Sequence, residues 1–176
     1  MVGLGSTTLV IVGDDAPKQI DALNRLANVS AATFTGAEDE DVRRWVSSSH
    51  LPYVVHDHDP LSHVAAAWVE FFDDQTTLGT LDFEIDRALT ALERGLAAMP
   101  DYYVVLEPET LSPTWKHWWL GVLPEAAPTR VIPWDDRSPS VARMLRKLPT
   151  GRAWPEPEPW LRTVARSVPD RVGLER

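Results

Sequence analysis

The sequence predicts an α/β protein: a three-layer, mainly parallel sheet of about five strands with helices on both faces, Rossmann-like in its layering, plus a basic, proline-rich C-terminal extension. Three observations predict it. Short runs rich in β-branched and aromatic residues alternate with segments whose apolar residues recur at helical spacing. The first run, Thr8 to Val12, is continuously apolar and closes on Gly13, as expected of a strand buried on both faces. At 176 residues the chain is long enough to bury one sizeable core. Regular strand–helix alternation implies parallel strands covered by helices.

Each element follows in turn. Asp15 reads as a helix cap with Pro17 in the first turn, and Ile20, Leu23, Leu26 and Ala27 keep helical spacing. Ala31 to Thr35 reads as a second strand, Asp39 to Val46 as a short helix, and Tyr53 to His56 as a third strand. Residues 61–99 read as two helices, His63 to Phe72 and Leu81 to Met99, interrupted around Gly79. Tyr102 to Leu106 is the fourth strand and Arg130 to Pro133 the fifth, joined by a helix from Trp115 to Leu123. The i, i+3, i+4 spacing of Trp115, Trp118 and Trp119 places them on one helix face, packed into the core, with stacking of a base or sugar ring on one of the indoles as the alternative.

Charge divides the chain in two. Residues 1–136 hold 8 basic and 22 acidic side chains, whereas residues 137–176 hold 9 basic and 4 acidic. The boundary separates a core domain, 1–136, from an extension, 137–176, which also holds six of the 15 prolines. Within the extension, Trp154 to Trp160 is expected to be extended, and Ser140 to Leu148 and Trp160 to Val168 to form short amphipathic helices. The basic side chains from Arg143 to Arg171 suit an acidic surface, belonging to the core itself, a second copy or another protein.

Composition narrows the function. The absence of cysteine excludes disulfide scaffolds, thiolate nucleophiles, iron–sulfur clusters and cysteine-ligated zinc. The acidic core argues against duplex nucleic acid as its partner. No basic leader opens the chain and the first apolar run is too short for a membrane span, so the expectation is a cytoplasmic protein without membrane contact. The phosphate-binding loop GxxxxGK[ST], the nucleophile elbow GxSxG and the zinc helix HExxH are missing.

Open parallel sheets bind ligands beyond the carboxyl ends of their strands. Here every predicted strand runs into acid: Asp14 and Asp15, then Glu38 and Asp39, then His56 to Asp59, then Glu107 and Glu109, then Asp135 and Asp136. Parallel strands bring these groups to one edge, where they repel unless a cation or basic partner sits among them. Hard carboxylate oxygens suit Mg²⁺ or Mn²⁺, which complete their shells with water and substrate phosphates. Asp15 and Asp39 also fit simple helix capping, and His56 and His58 simple hydrogen bonding.

The stretch RALTALERGLAAMPDYYVVLEPETLSPTW resembles the central part of family-2-like glycosyltransferases of the GT-A fold, over residues 8–135 at most. In that family a strand ends in Asp-x-Asp, which holds the divalent metal of a sugar-nucleotide diphosphate. The resemblance puts that metal on Glu107 and Glu109, each one methylene longer than the family's Asp. It puts nucleotide contacts on Gly13, Asp14, Asp15, Glu38 and Asp39, and a catalytic base at Asp135 or Asp136. The pieces FFDDQTTLG, EIDRAL and LSPTW also resemble bacterial Toll/interleukin-receptor-type domains, but Lys116 to Trp119 stand where that family carries its catalytic Glu. The acid pair after the first strand resembles a phosphorylation receiver domain, yet no Lys follows the fifth strand. Two classes of function follow: a protein, enzyme or degenerate enzyme, that binds a nucleotide or nucleotide-sugar with a divalent metal, or a non-catalytic interaction module, a homo-oligomer included, whose basic tail docks on an acidic surface.

Overall fold

The computed structural model describes residues 5–169. Five strands, β1 (Thr7–Val12), β2 (Val29–Ala32), β3 (Tyr53–His56), β4 (Tyr102–Leu106) and β5 (Val131–Trp134), form one fully parallel sheet in the order β2-β3-β1-β4-β5. Central β1 is therefore hydrogen-bonded on both sides, and Leu9, Val10 and Ile11 lose all contact with solvent. Its continuous apolar run has this cause, because each face of the strand meets a helical layer.

Successive residues of a strand point to opposite faces, which sorts the core into two. Leu9, Ile11, Val55 and Val104 pack with Ile20 and Leu23 of α1 (Ala16–Leu23) and with Val141 and Leu145. On the other face, Val10, Tyr103 and Val105 pack beneath α3 (Ser62–Phe72) and α4 (Leu78–Glu93). Trp45 of α2 (Asp39–Ser48) lies edge-on to His56 on that same face. A helical stretch completes this layer, running from α5 (Pro113–His117) through one wider π-turn at Trp118–Val122 into α6 (Leu123–Ala126). Trp118 and Trp119 are buried there, and Trp115 is half-buried.

Several boundaries move from the sequence expectation. β2 starts and stops earlier, because pairing Val29 with Tyr53 and Ala32 with His56 releases Thr33 to Thr35 into a loop. The long second helix ends at Glu93, where Gly95 takes a positive φ of 68°. Asp15 occupies the position before α1 without accepting a capping bond, and Asp39 is the first residue of α2 with its carboxylate turned to His58. The proline run is not wholly extended: α8 (Pro157–Leu161) begins inside it, since proline's fixed φ and missing N–H are tolerated in a first turn.

The C-terminal segment straddles the sheet. α7 (Val141–Met144) and the turn after it lie on the α1 face, where the Tyr53 hydroxyl donates to the Leu145 carbonyl at 2.9 Å. α8 and the turn at Val164–Arg166 lie on the opposite face, where Trp68 Nε1 donates to the Val164 carbonyl at 2.8 Å and Arg162 meets Asp86 at 2.6 Å. Arg171 lies outside the described residues. Among those described, no helix is long and apolar enough to cross a membrane.

Candidate functional site

Gly13 ends β1 with φ 129°, and a Cβ there would stand 2.8 Å from the Leu106 Cβ. Only glycine lets β1 turn so closely against β4 and enter α1 at once. On leaving β1 the chain enters the α1 layer, whereas β3 and β4 lead into the helices of the other face. The crevice where connections diverge in this way is where open α/β sheets bind ligands.

A cleft of about 440 Å³ opens at that point. Gly13 and Asp14 line it from β1, Phe34 and Thr35 from the loop after β2, Asp57 to Asp59 from β3, Ser62 from α3, and Trp115 and Trp119 from the α5 stretch. Asp57 is oriented by the Phe34 N–H, which donates to its carboxylate at 2.7 Å. Asp59 is buried and accepts from the Tyr103 hydroxyl at 2.7 Å and from the Leu61 N–H at 2.8 Å. Burial raises the Asp59 carboxyl above its usual range against those two bonds, and burial beside Asp59 drives the Tyr103 phenol well above its own. Tyr103 in turn supports the Trp119 ring, with centroids 5.3 Å apart. The cleft thus sets two indoles against a row of carboxylates and has no Lys or Arg in its lining.

The two histidines of β3 and its exit behave differently. His56 is buried and its Nδ1 accepts the His58 N–H at 3.2 Å. Burial, helped by repulsion from His58, lowers its pKa to about 4 and keeps the ring neutral. His58 is partly exposed and its Nε2 is bonded to Asp39 Oδ1 at 2.5 Å. That bond raises its pKa; burial opposes the rise and the charges of Asp39, Asp59 and Asp57 add to it.

The predicted acids share the carboxyl edge but do not share one cleft. Glu107, Glu109, Asp135 and Asp136 line a second hollow of about 550 Å³, beside Leu120, Trp134 and Arg137. Glu107 takes a left-handed φ of 46°, and Glu109 is paired with Lys116 at 2.7 Å. Asp135 holds its own turn, accepting from the Arg137 and Ser138 N–H groups. Desolvation is the largest single influence and raises its pKa, but these bonds, the Ser138 hydroxyl and the Arg137 charge together outweigh it and lower the pKa, which makes Asp135 a weaker base than a free carboxylate. Asp15 and Glu38 are exposed outside both hollows, and Asp39 lies behind His58. Among the described residues no three His, Cys, Asp or Glu side chains group to hold a metal ion. A divalent ion on Glu107 and Glu109 would draw its remaining ligands from water and substrate, and would displace Lys116 from Glu109.

Sequence reasoning puts Trp119 on a core-facing helix surface, with stacking of a base or sugar ring as the alternative, and gives Tyr103 only a place in the fourth strand. The signal for the β3 contribution was the alternation His-Asp-His-Asp at a strand exit; Tyr103 carries none, because a buried tyrosine reads as packing. No protein-family model matches the chain, and comparisons with curated proteins and with solved structures find no match either.

Proposed function

We propose that the protein binds a nucleotide-type small molecule, a nucleoside or nucleotide-sugar, in the cleft at the end of β1. The observation that carries this reading is the pairing of an aromatic wall, Trp115 and Trp119, with the carboxylates of Asp14 and Asp57 across about 440 Å³ at the diverging connections. A base stacks on an indole, and ribose hydroxyls donate to carboxylates. Phosphates find no basic side chain in this lining, so a diphosphate arrives with its Mg²⁺ or Mn²⁺ and turns toward Glu107 and Glu109.

Thermal unfolding with adenosine, UDP and UDP-glucose, each with and without Mn²⁺, tests the reading. A ligand that binds only the folded state at a hundred times its Kd stabilises by about 2.7 kcal/mol. Trp115→Ala is expected to abolish the shift, and Glu107→Ala with Glu109→Ala to remove only its Mn²⁺-dependent part. Absence of a shift with every compound, metal present, overturns the proposal.

A further inference from the structure

We propose that His58 and Asp39 form a general-base dyad serving the cleft, taking a proton from a water or hydroxyl held beside Asp14, Ser62 and Trp119. Asp39 comes from the first turn of α2 and His58 from the exit of β3, 19 residues apart, and they meet at 2.5 Å. His58 stands in a wall, lining both the cleft and a smaller cavity of about 110 Å³ on its other side. Asp39 lines the smaller one and a separate groove beside His63 but not the cleft, so Nε2 is held from the side away from the cleft. Among the described residues Nδ1 has no hydrogen-bond partner.

The consequences for proton transfer are direct. With Nε2–H donated to Asp39, the lone pair of the neutral ring resides on Nδ1. The groups interacting with the ring are Asp39 from α2, His56, Asp57 and Asp59 from β3 and its exit, and Tyr103 from β4 through Asp59; Arg43 of α2 lines the smaller cavity with its guanidinium bonded to Ser47. The Asp39 hydrogen bond, with burial opposing it and the charges of Asp39, Asp59 and Asp57 adding to it, favours the imidazolium and makes the ring a stronger base than a free imidazole. His56 cannot substitute: its Nδ1 is occupied and its ring stays neutral to about pH 4.

For an acyl ester the step balances as hydrolysis. A water O–H gives its proton to Nδ1 while its oxygen bonds to the carbonyl carbon. The tetrahedral intermediate then expels the leaving oxygen with the C–O electron pair; that oxygen takes the proton back from the ring, or departs as the anion while the ring returns its proton to solvent.

The dyad acts on the ligand of the cleft and so rests on the proposed binding function, but p-nitrophenyl acetate reads the base without needing that ligand. The full chain is expected to hydrolyse the ester with a rate that rises through the His58 titration. His58→Gln is expected to lose at least about tenfold of the protein-dependent rate, against no loss in His63→Gln, an exposed histidine outside the dyad. Asp39→Asn keeps the side-chain shape and is expected to move the midpoint of the pH profile to lower pH, a displacement that loss of packing alone does not produce. Unchanged rates in His58→Gln, or equal losses in His63→Gln, overturn the dyad. Nucleoside binding is measured on the same variants. Binding without His58-dependent hydrolysis sinks the dyad and leaves the cleft reading, and hydrolysis without binding does the reverse.

Discussion

His56→Asn isolates what a buried neutral histidine does to this fold. The His56 ring lies edge-on to Phe34 and Trp45, and its Nδ1 accepts the His58 N–H. Asparagine keeps an acceptor close to the Nδ1 position and cannot titrate. In the unfolded chain His56 takes up a proton near pH 6.5, and in the folded one only near pH 4. Between those values the unfolded state binds more protons, so stability falls as the solution is acidified. Linkage gives about 2 kcal/mol lost from the wild type by about pH 5 and about 3 kcal/mol by about pH 4. His58 and Asp59, whose pKa values are raised, slope the other way: the His58 contribution is present below about pH 6.5 and fades as pH rises through its folded value. Both groups remain in the variant and largely cancel in the difference. Urea unfolding of the two proteins at about pH 7.5, 6, 5 and 4 gives that difference directly. The variant is expected to be less stable at pH 7.5, through lost ring contacts, and to close the gap by about 2 kcal/mol at pH 5. A difference that stays constant over that range refutes the buried neutral assignment.

Two further outcomes are open to measurement. Gly13→Ala places a Cβ 2.8 Å from that of Leu106 at φ 129°, and is expected to cost about 2–3 kcal/mol in chemical unfolding; a loss below about 0.5 kcal/mol would show that β1 and β4 can part at that point. Leu161→Ala, in the proline-rich segment, empties a fully buried site on the α3–α4 face and is expected to cost about 3 kcal/mol with the melting temperature falling accordingly; a surface-like change of a few tenths would mean that α8 does not pack there.

What the chain reveals locally and what it hides can be told apart residue by residue. The apolar run of β1, the helical spacing of Ile20 and Leu23, and the Trp118–Trp119 face are each read from neighbours a few positions away, and each stands as expected. Element ends were less legible. Ala31 to Thr35 has strand composition throughout, but the register of Val29 against Tyr53 decides where pairing stops. Pro157 and Pro159 suggest extended chain until the apolar contacts of Leu161 and Trp160 make one helical turn worthwhile. Sequence placed the acids at strand ends, and parallel strands do bring them to one edge. Their division into two hollows depends on strand order.

By itself the sequence determined the layered α/β class, because periods of two and near four residues are properties of the local backbone. It also determined that acid gathers at the carboxyl edge, since parallel strands all end on the same side. Only the tertiary structure decided the order β2-β3-β1-β4-β5, the separation of Glu107 and Asp135 from Asp14 and Asp57, and the meeting of Asp39 with His58. Those outcomes come from contacts between residues distant in the chain, where the burial of Tyr103, Trp119 and Leu161 against one another's layers outweighs any local preference.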